Sequence, residues 1–403
     1  MGLFNRAAAS SRLPDPRRRY SLNMNFELNE EQRMFKDAIR NFAEKEIASL
    51  VNEAEEREAF PIQLFPKMGA MGYLCVGYPP EYGGGGMGKI GECIAMEELG
   101  RICLGIASGI MVQSGIATSA IYRHGNDEQR QKYLVPAIKG QKIGAFALTE
   151  PNAGSDASAI ETRATKNGNG YIINGTKIFI TNGPIADFVL TAAYTDKAKG
   201  ARGGVSLFIV DKETAGFSVN KMHKFCMRSS STGELTYDSV AVSQEGLVGE
   251  EGRGFPYLME ALTAGRITHG ARSLGLAAAA YDASLHYAQN RRQFGRPIGN
   301  FQAIAFKLAR MALDLEAARW LVYRAAWLHD QGVRCVKEAA MAKLFASEMA
   351  QRVTGEAMQI HGGYGFTTDS PIQRYYRDAR LGTTVEGTSE IQQVVISREI
   401  GVG

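Results

Sequence analysis

The feature that most restricts this chain is a change of texture near Ala145. From Leu28 to about Ala145, Phe35, Ile39, Phe42, Ala43 and Ile47 recur at three- and four-residue spacing, the period of a helix. Pro61, Pro66, Pro79 and Pro80 punctuate that region. Beyond Ala145, short apolar runs separated by Gly, Asp and Asn take over. Phe188 to Tyr194, Val205 to Val210, Phe217 to Val219 and Leu235 to Val242 read as strands. Tyr171 to Ile180 is two apolar runs around Asn174-Gly175, which reads as a hairpin because a tight primed turn needs positive φ at both central positions. From about Gly254 the helical period returns: Ile304, Leu308, Met311, Leu315, Ala318 and Val322 form one stripe, and Ala339 to Ile360 reads as a long helix. An α, β, α order is not the βαβα alternation of a doubly wound sheet.

The 403 residues are enough for two or three domains. The expected division is a leader over 1–23, a helical domain over 24–145, a β-domain over 146–253 and a second helical domain over 254–403. Forty-six Lys and Arg against 42 Asp and Glu leave a net charge of +4, too weak to imply nucleic acid. Five scattered cysteines without a CxxC pair read as reduced thiols inside a cell. Six histidines without metal-ligand spacing argue against a metal site. The leader carries five arginines against one acid, Asp15, and fits either a non-structural bacterial leader or a mitochondrial transit peptide. After it, Met24 opens a clean start in which Asn29 can cap a helix. Ile102 to Tyr122 has the length of a membrane span, but Ser108, Gln113, Ser114, Thr118 and Ser119 make a buried helix the better reading.

Among motifs, Gly83, Gly85 and Gly88 match G-x-G-x-x-G without the preceding strand that a dinucleotide site requires, so they read as a loop. Phe146 to Asp156 packs hydroxyls, an amide and glycine into one turn, which suits either an anion or polar ring, or a plain Asx-type turn. Phe179 and Thr181, two apart on a strand, put an aromatic and a hydroxyl on one side, a surface for a flat heteroaromatic group.

Taken in order, several segments resemble the acyl-CoA dehydrogenase family of flavoproteins. They are Pro80-Glu81-Tyr82-Gly83-Gly84, Thr149-Glu150-Pro151 through Gly154-Ser155-Asp156, Phe179 to Gly183, and Arg228 with Ser230-Ser231-Thr232. The set continues with Arg291 and Phe294-Gly295, Gln359 with Gly362-Gly363-Tyr364-Gly365, and Glu386 to Gln392. The resemblance implies an N-terminal all-α domain, a middle β-barrel-like domain and a C-terminal four-helix bundle. It implies bound FAD and a homotetramer built as a dimer of dimers. Phe146, Leu148, Thr149, Gly154 and Ser155 are expected along the flavin, Phe179 on the ring face away from substrate, and Thr181 at N5. Arg291, Phe294, Gln302, Gln359, Gly362 and Gly363 are expected to reach the cofactor of a neighbouring subunit. Thr388 and Glu390 match further cofactor positions.

Glu386 matches the family's general base. One branch carries that base on a helix, immediately before an arginine; here the position is Gly265, which cannot serve, and Arg266 follows it near the acyl site. Ser155 is also expected at the substrate. The implied reaction is α,β-dehydrogenation of an acyl-CoA thioester, with electrons passed to electron-transferring flavoprotein. An enoyl-CoA reductase running the same chemistry in reverse and a non-catalytic flavoprotein are the alternatives. Thr263 stands where the family usually has an Asp that touches CoA. The implied location is the bacterial cytoplasm, or the mitochondrial matrix if the leader is a transit peptide.

Overall fold

A computed structural model describes residues 27–402; the leader reading and the proposed start at Met24 lie outside them. The first helix, Glu30–Phe42, starts where Asn29 predicts. Asn29 accepts from the Gln32 amide at 2.8 Å and Gln32 returns a bond to the Asn29 amide, a reciprocal cap. Ile39, Phe42, Ala43 and Ile47 are buried as their spacing requires. Pro66 departs from its expected role: it lies in the first turn of Leu64–Ala70, where a missing N–H costs nothing. The helix Gly88–Ile102 ends at Cys103, whose extended φ of −159° breaks the chain before the next helical stretch. That stretch, Leu104–His124, is the one helix among the described residues long and apolar enough to cross a membrane, and 89% of its apolar window is buried inside the protein. Ile102, read from sequence as part of it, belongs to the preceding helix.

The glycine motif is a structural loop. Gly88 has a φ of +60°, and a Cβ there would lie 2.6 Å from the Asp330 carboxylate. Asp330 accepts from the Lys89 and Ile90 amides at 2.6 and 3.0 Å. The start of this helix is therefore held by an internal carboxylate, not a phosphate.

The middle of the chain forms one sheet. Its strands are β1 (Gly144–Ala147), β2 (Arg163–Asn167), β3 (Gly170–Thr181), β4 (Phe188–Tyr194), β5 (Val205–Asp211), β6 (Phe217–Lys221), β7 (Thr232–Ser243) and β8 (Leu247–Val248). Their order is β6-β7-β3-β2-β4-β5-β8, with β1 beside β4 in parallel. Both faces of β4 are covered. Phe188, Leu190, Ala192 and Tyr194 join the helical core, whereas Val189 and Ala193 join a separate cluster built around Tyr171 and Phe208.

The hairpin expected at Asn174-Gly175 is not there. β3 runs straight through it, and the register against β7 shifts between Ile173 and Gly175. The Asn174 side chain accepts from the Ser239 amide at 2.8 Å, so Asn-Gly serves a bulge. The turn sits instead at Gly168-Asn169, between Asn167 and Gly170, where Gly168 has a φ of +57°.

The C-terminal part is helical: Gly254–Asn290, Gln302–Asp330, Val336–His361, Pro371–Ala379 and Ser389–Glu399. Gly254–Asn290 packs closely on Gly88–Ile102. A Cβ at Gly275 would lie 1.9 Å from the Glu97 carbonyl, and one at Gly100 would lie 2.4 Å from that of Arg272. Ion pairs tie the same helices outward: Glu98 to Arg40, and Glu97 to Arg319 with a bond from Tyr323. All five cysteines are free and buried.

Candidate active site

Glu386 lies between the turn that follows Pro371–Ala379 and the helix Ser389–Glu399. Its φ is +58° and that of Gly387 is +87°. Two successive left-handed residues form a sharp corner, costly for a residue with a side chain and held only by what surrounds it. Lys343 donates to the Gly387 carbonyl at 2.7 Å. Gln392 donates to the Glu386 and Gly387 carbonyls at 3.0 and 2.9 Å. Thr388 caps the helix by accepting from the Ile391 amide.

The corner turns the Glu386 carboxylate inward. A Cβ at Gly265 would lie 3.1 Å from Glu386 Oε2 and 3.2 Å from Ile116 Cδ1. The position that could have carried an alternative base is thus the space that Glu386 uses. Oε2 is buried and has no hydrogen-bond partner. Burial pushes the Glu386 pKa up, against the pull of Arg272, Arg266 and Lys343. Arg266 is buried, with its Nε unpartnered.

The β-domain supplies a second set. The Ile178 amide donates to the Thr149 carbonyl at 2.9 Å, which brings the Thr149 turn alongside Phe179. Phe146 is half-buried and Leu148 buried, whereas Gly154 and Ser155 are exposed. Phe179 has a φ of +62° and is 63% exposed. The register against β7 shifts between Lys177 and Ile180, and Ile180 is buried between the exposed Phe179 and the half-buried Thr181. A bulge re-aims the aromatic at a strained φ, a device concentrated beside functional sites. Asn182, next in the motif, is buried and donates to the Gly109 and Gly144 carbonyls at 2.9 and 3.3 Å. It joins the N-terminal helices to the sheet.

A third set lies elsewhere. Arg291, Phe294, Gly362 and Gly363 share the lining of one pocket of about 640 Å³ with Tyr287 and Tyr364. Arg291 sits 5.6 Å from the Tyr364 ring centre, and Phe294 is 92% exposed at a φ of +51°. That lining includes none of Thr149, Phe179, Thr181 or Glu386. Gln359 faces a different pocket, with Lys307 and Arg310, and Gln302 is exposed at the first turn of its helix. Glu390 is exposed; the helix-start N–H of its own residue and the Thr388 hydroxyl hold its pKa below the usual range. Thr263 donates its hydroxyl to the Met259 carbonyl one turn back, at 2.8 Å.

Several residues escaped the sequence reading. Glu150 and Lys177 form a buried ion pair at 2.8 Å beneath the Thr149 turn. Lys177 also donates to the Leu148 carbonyl at 2.9 Å, and the Thr162 amide donates to Glu150 at 3.0 Å. Around Glu386, Arg272, His269 and Lys343 were unforeseen. A signal existed for Arg272: it is a second cation, seven residues after Gly265 and on the same face, in a stretch rich in Gly and Ala.

An exposed strained aromatic beside a polar turn fits a flat ring system. A pocket combining an arginine with glycine backbone fits an extended anionic group. The two sets are separate within one chain.

Comparison with known proteins agrees. Family models for the acyl-CoA dehydrogenase N-terminal, middle and C-terminal domains match residues 29–141, 145–240 and 252–401. The chain is 44% identical to the short-chain-specific acyl-CoA dehydrogenase of Clostridium acetobutylicum, covering 94% of this chain and 100% of that one. It is 45% identical to the NADH-dependent acryloyl-CoA reductase of Anaerotignum propionicum, over 94% and 96%. A chain in the structure of the electron transferring flavoprotein of Acidaminococcus fermentans superposes with a TM-score of 0.92 at 43% identity, over 94% and 100%. The chain belongs to the acyl-CoA dehydrogenase family, whose members are flavin-dependent.

Proposed function

We propose that this protein performs the α,β-dehydrogenation of an acyl-CoA thioester, with Glu386 removing the α-proton. The observation that carries this reading is the Glu386 carboxylate: inward-facing, unpartnered at Oε2, and occupying the space beside Gly265. FAD, when bound, supplies the acceptor for the β-hydrogen and its electron pair. Phe146, Leu148, Thr149, Gly154, Ser155, Phe179 and Thr181 would hold its ring. Arg291, Phe294, Gln302, Gln359, Gly362 and Gly363, with Thr388 and Glu390, would serve the rest across a subunit boundary, in a homotetramer arranged as a dimer of dimers. Ser155 and Arg266 would face the substrate.

The chemistry asks a carboxylate to take a proton from a weak carbon acid. Burial raises the proton affinity of Glu386, and so does exclusion of water by the acyl chain. The Glu386 amide, donating to the thioester carbonyl, would stabilise the developing enolate, and preorganised donors of this kind are among the largest catalytic effects. Balance holds: the α C–H yields a proton to Glu386, the β C–H yields hydride, and a C=C bond forms.

Similarity to a reductase supports a second reading, in which the same residues work in reverse. Electron-transferring flavoprotein is the proposed redox partner, supported by the structural match to a chain in such an assembly. Bacterial relatives and five reduced, buried cysteines support a cytoplasmic location. The test is anaerobic titration of the purified yellow protein with a panel of CoA thioesters. Bleaching of flavin absorbance by a saturated thioester supports dehydrogenation, and a protein that cannot be loaded with FAD overturns it.

A further inference from the structure

Burying a guanidinium is expensive unless an anion accompanies it. Arg272 is 3% exposed, yet among the described residues neither of its hydrogen bonds goes to a carboxylate and no ion pair involves it. Its Nη1 donates to Ser108 Oγ and its Nη2 lies 2.8 Å from His269 Nδ1. Both partners are neutral. Arginine can only donate, so His269 Nδ1 is the acceptor and the ring proton sits on Nε2. Arg272 Nε has no partner at all. The charge count of the surroundings is lopsided: Arg266, Arg272 and Lys343 are buried around Glu386, which must stay free to take a proton, and Glu348 acts on Lys343 alone among the three.

Position is equally informative. Gly265 and Ile116 meet beside Glu386, while Arg272 and Ser108 meet further along the same two helices. The facing segments therefore run from the proposed base to the buried cation. His269 lies four residues, about 6 Å of helix rise, beyond Gly265, and the Arg272 side chain leans back to that level. A chain extending from an α-carbon at Glu386 advances roughly 1.2 Å per bond, so a distal carboxylate oxygen reaches that level in about four to five bonds.

We propose that the acyl group of the substrate carries a second carboxylate, that of a five- or six-carbon dicarboxylic acid, bound by Arg272 with Ser108 and His269. This rests on the dehydrogenation reading and names its substrate class. The distal carboxylate accepts from the guanidinium and neutralises one surplus charge, whereas a methyl terminus leaves that charge unpaired. No chemistry is assigned to this carboxylate; it positions the chain.

The test uses the FAD-loaded protein and two 3-thia thioesters of CoA, 3-thiaglutaryl-CoA and 3-thiavaleryl-CoA. A sulfur at the β position has no hydrogen to lose, so calorimetry reads affinity without turnover. The wild type is expected to bind the carboxylate analogue about tenfold or more tightly than the neutral one. Arg272→Gln is expected to abolish or invert that ratio while leaving affinity for the neutral analogue unchanged or improved. Arg272→Lys is expected to keep part of it. Equal or stronger wild-type binding of the neutral analogue overturns the proposal, and so does an equal loss for both analogues in Arg272→Gln. If Arg272→Gln does not fold, the wild-type ratio and Arg272→Lys decide. Bleaching by valeryl-CoA but not glutaryl-CoA would reject this substrate class and leave dehydrogenation standing; the absence of bleaching by any thioester would reject dehydrogenation itself.

Discussion

A carboxylate at a left-handed corner, pressed against a glycine and ringed by cations, has its proton affinity set by opposing effects. Burial disfavours the charged form of Glu386, and Arg272, Arg266 and Lys343 favour it, with burial prevailing. The rate of flavin reduction should therefore fall as pH drops through a pKa above the usual carboxylate value, because only the ionised form can take the proton. Removing a cation strengthens the dominant effect, so Arg272→Gln should move this acid limb to higher pH. A stopped-flow pH profile of both proteins checks the shift, and a limb that stays in place or moves down contradicts it. Burial, with Arg272 and Lys343 nearby, lowers the His269 pKa well below the ordinary imidazole value. At this scale the sequence reading reached Glu386 through its surrounding motif. It missed Arg272 because a cation within a helix says nothing of what it faces until a second helix is placed against it.

The turn that carries Thr149 and the strand that carries Phe179 are held together by a buried ion pair. Lys177, pushed down to about 8 by burial, and Glu150, which burial would raise but Lys177, Thr162 and the Glu161 amide hold low, each satisfy the other. Lys177→Met should cost about 3–5 kcal/mol, because it leaves a carboxylate buried without its partner. Calorimetric unfolding and FAD retention should fall together. An unchanged melting temperature with full FAD would show that the pair is dispensable. Asp378 offers the opposite case. Burial first, then nearby Glu55, raise it to about 7, against the Met227 amide, Arg377 and Arg374. Between the unfolded carboxylate value and about 7 the folded protein holds the extra proton, so this group's contribution is full at acid pH and lost as pH rises through 7. Asp378→Asn should thus melt higher relative to wild type at pH 8 than at pH 5, and a difference independent of pH would contradict it. Strand positions were largely legible from apolar runs. The Asn174-Gly175 bulge was not, because the same dipeptide suits a bulge and a primed turn, and only the partner strand decides. The positive φ of Phe179 was equally hidden, since no residue type advertises strain.

Across the whole molecule, the α, β, α order was readable because helical and strand periods differ and the switch points are abrupt. The placement of Arg291, Phe294, Gly362 and Gly363 in a pocket apart from Glu386 was legible only through resemblance, since it depends on how the C-terminal helices pack on one another. Arg291→Ala should release FAD and loosen the assembly together, at a cost of a few kcal/mol for one charged hydrogen-bonding partner. Sedimentation and flavin content measured on one sample check this, and a tetramer with FAD at wild-type affinity contradicts the shared site. The central claim is that Glu386 removes the α-proton, and one measurement meets it directly: rapid anaerobic mixing of Glu386→Gln with saturating acyl-CoA while flavin absorbance is followed. Gln keeps the size and an acceptor but cannot take a proton at neutral pH. The variant should keep FAD, bind the thioester, and bleach at least about 10²–10⁴-fold more slowly than wild type, while Glu390→Gln, whose carboxylate is exposed at the helix start, still bleaches. Bleaching of Glu386→Gln at near the wild-type rate would send the proton elsewhere and contradict the account.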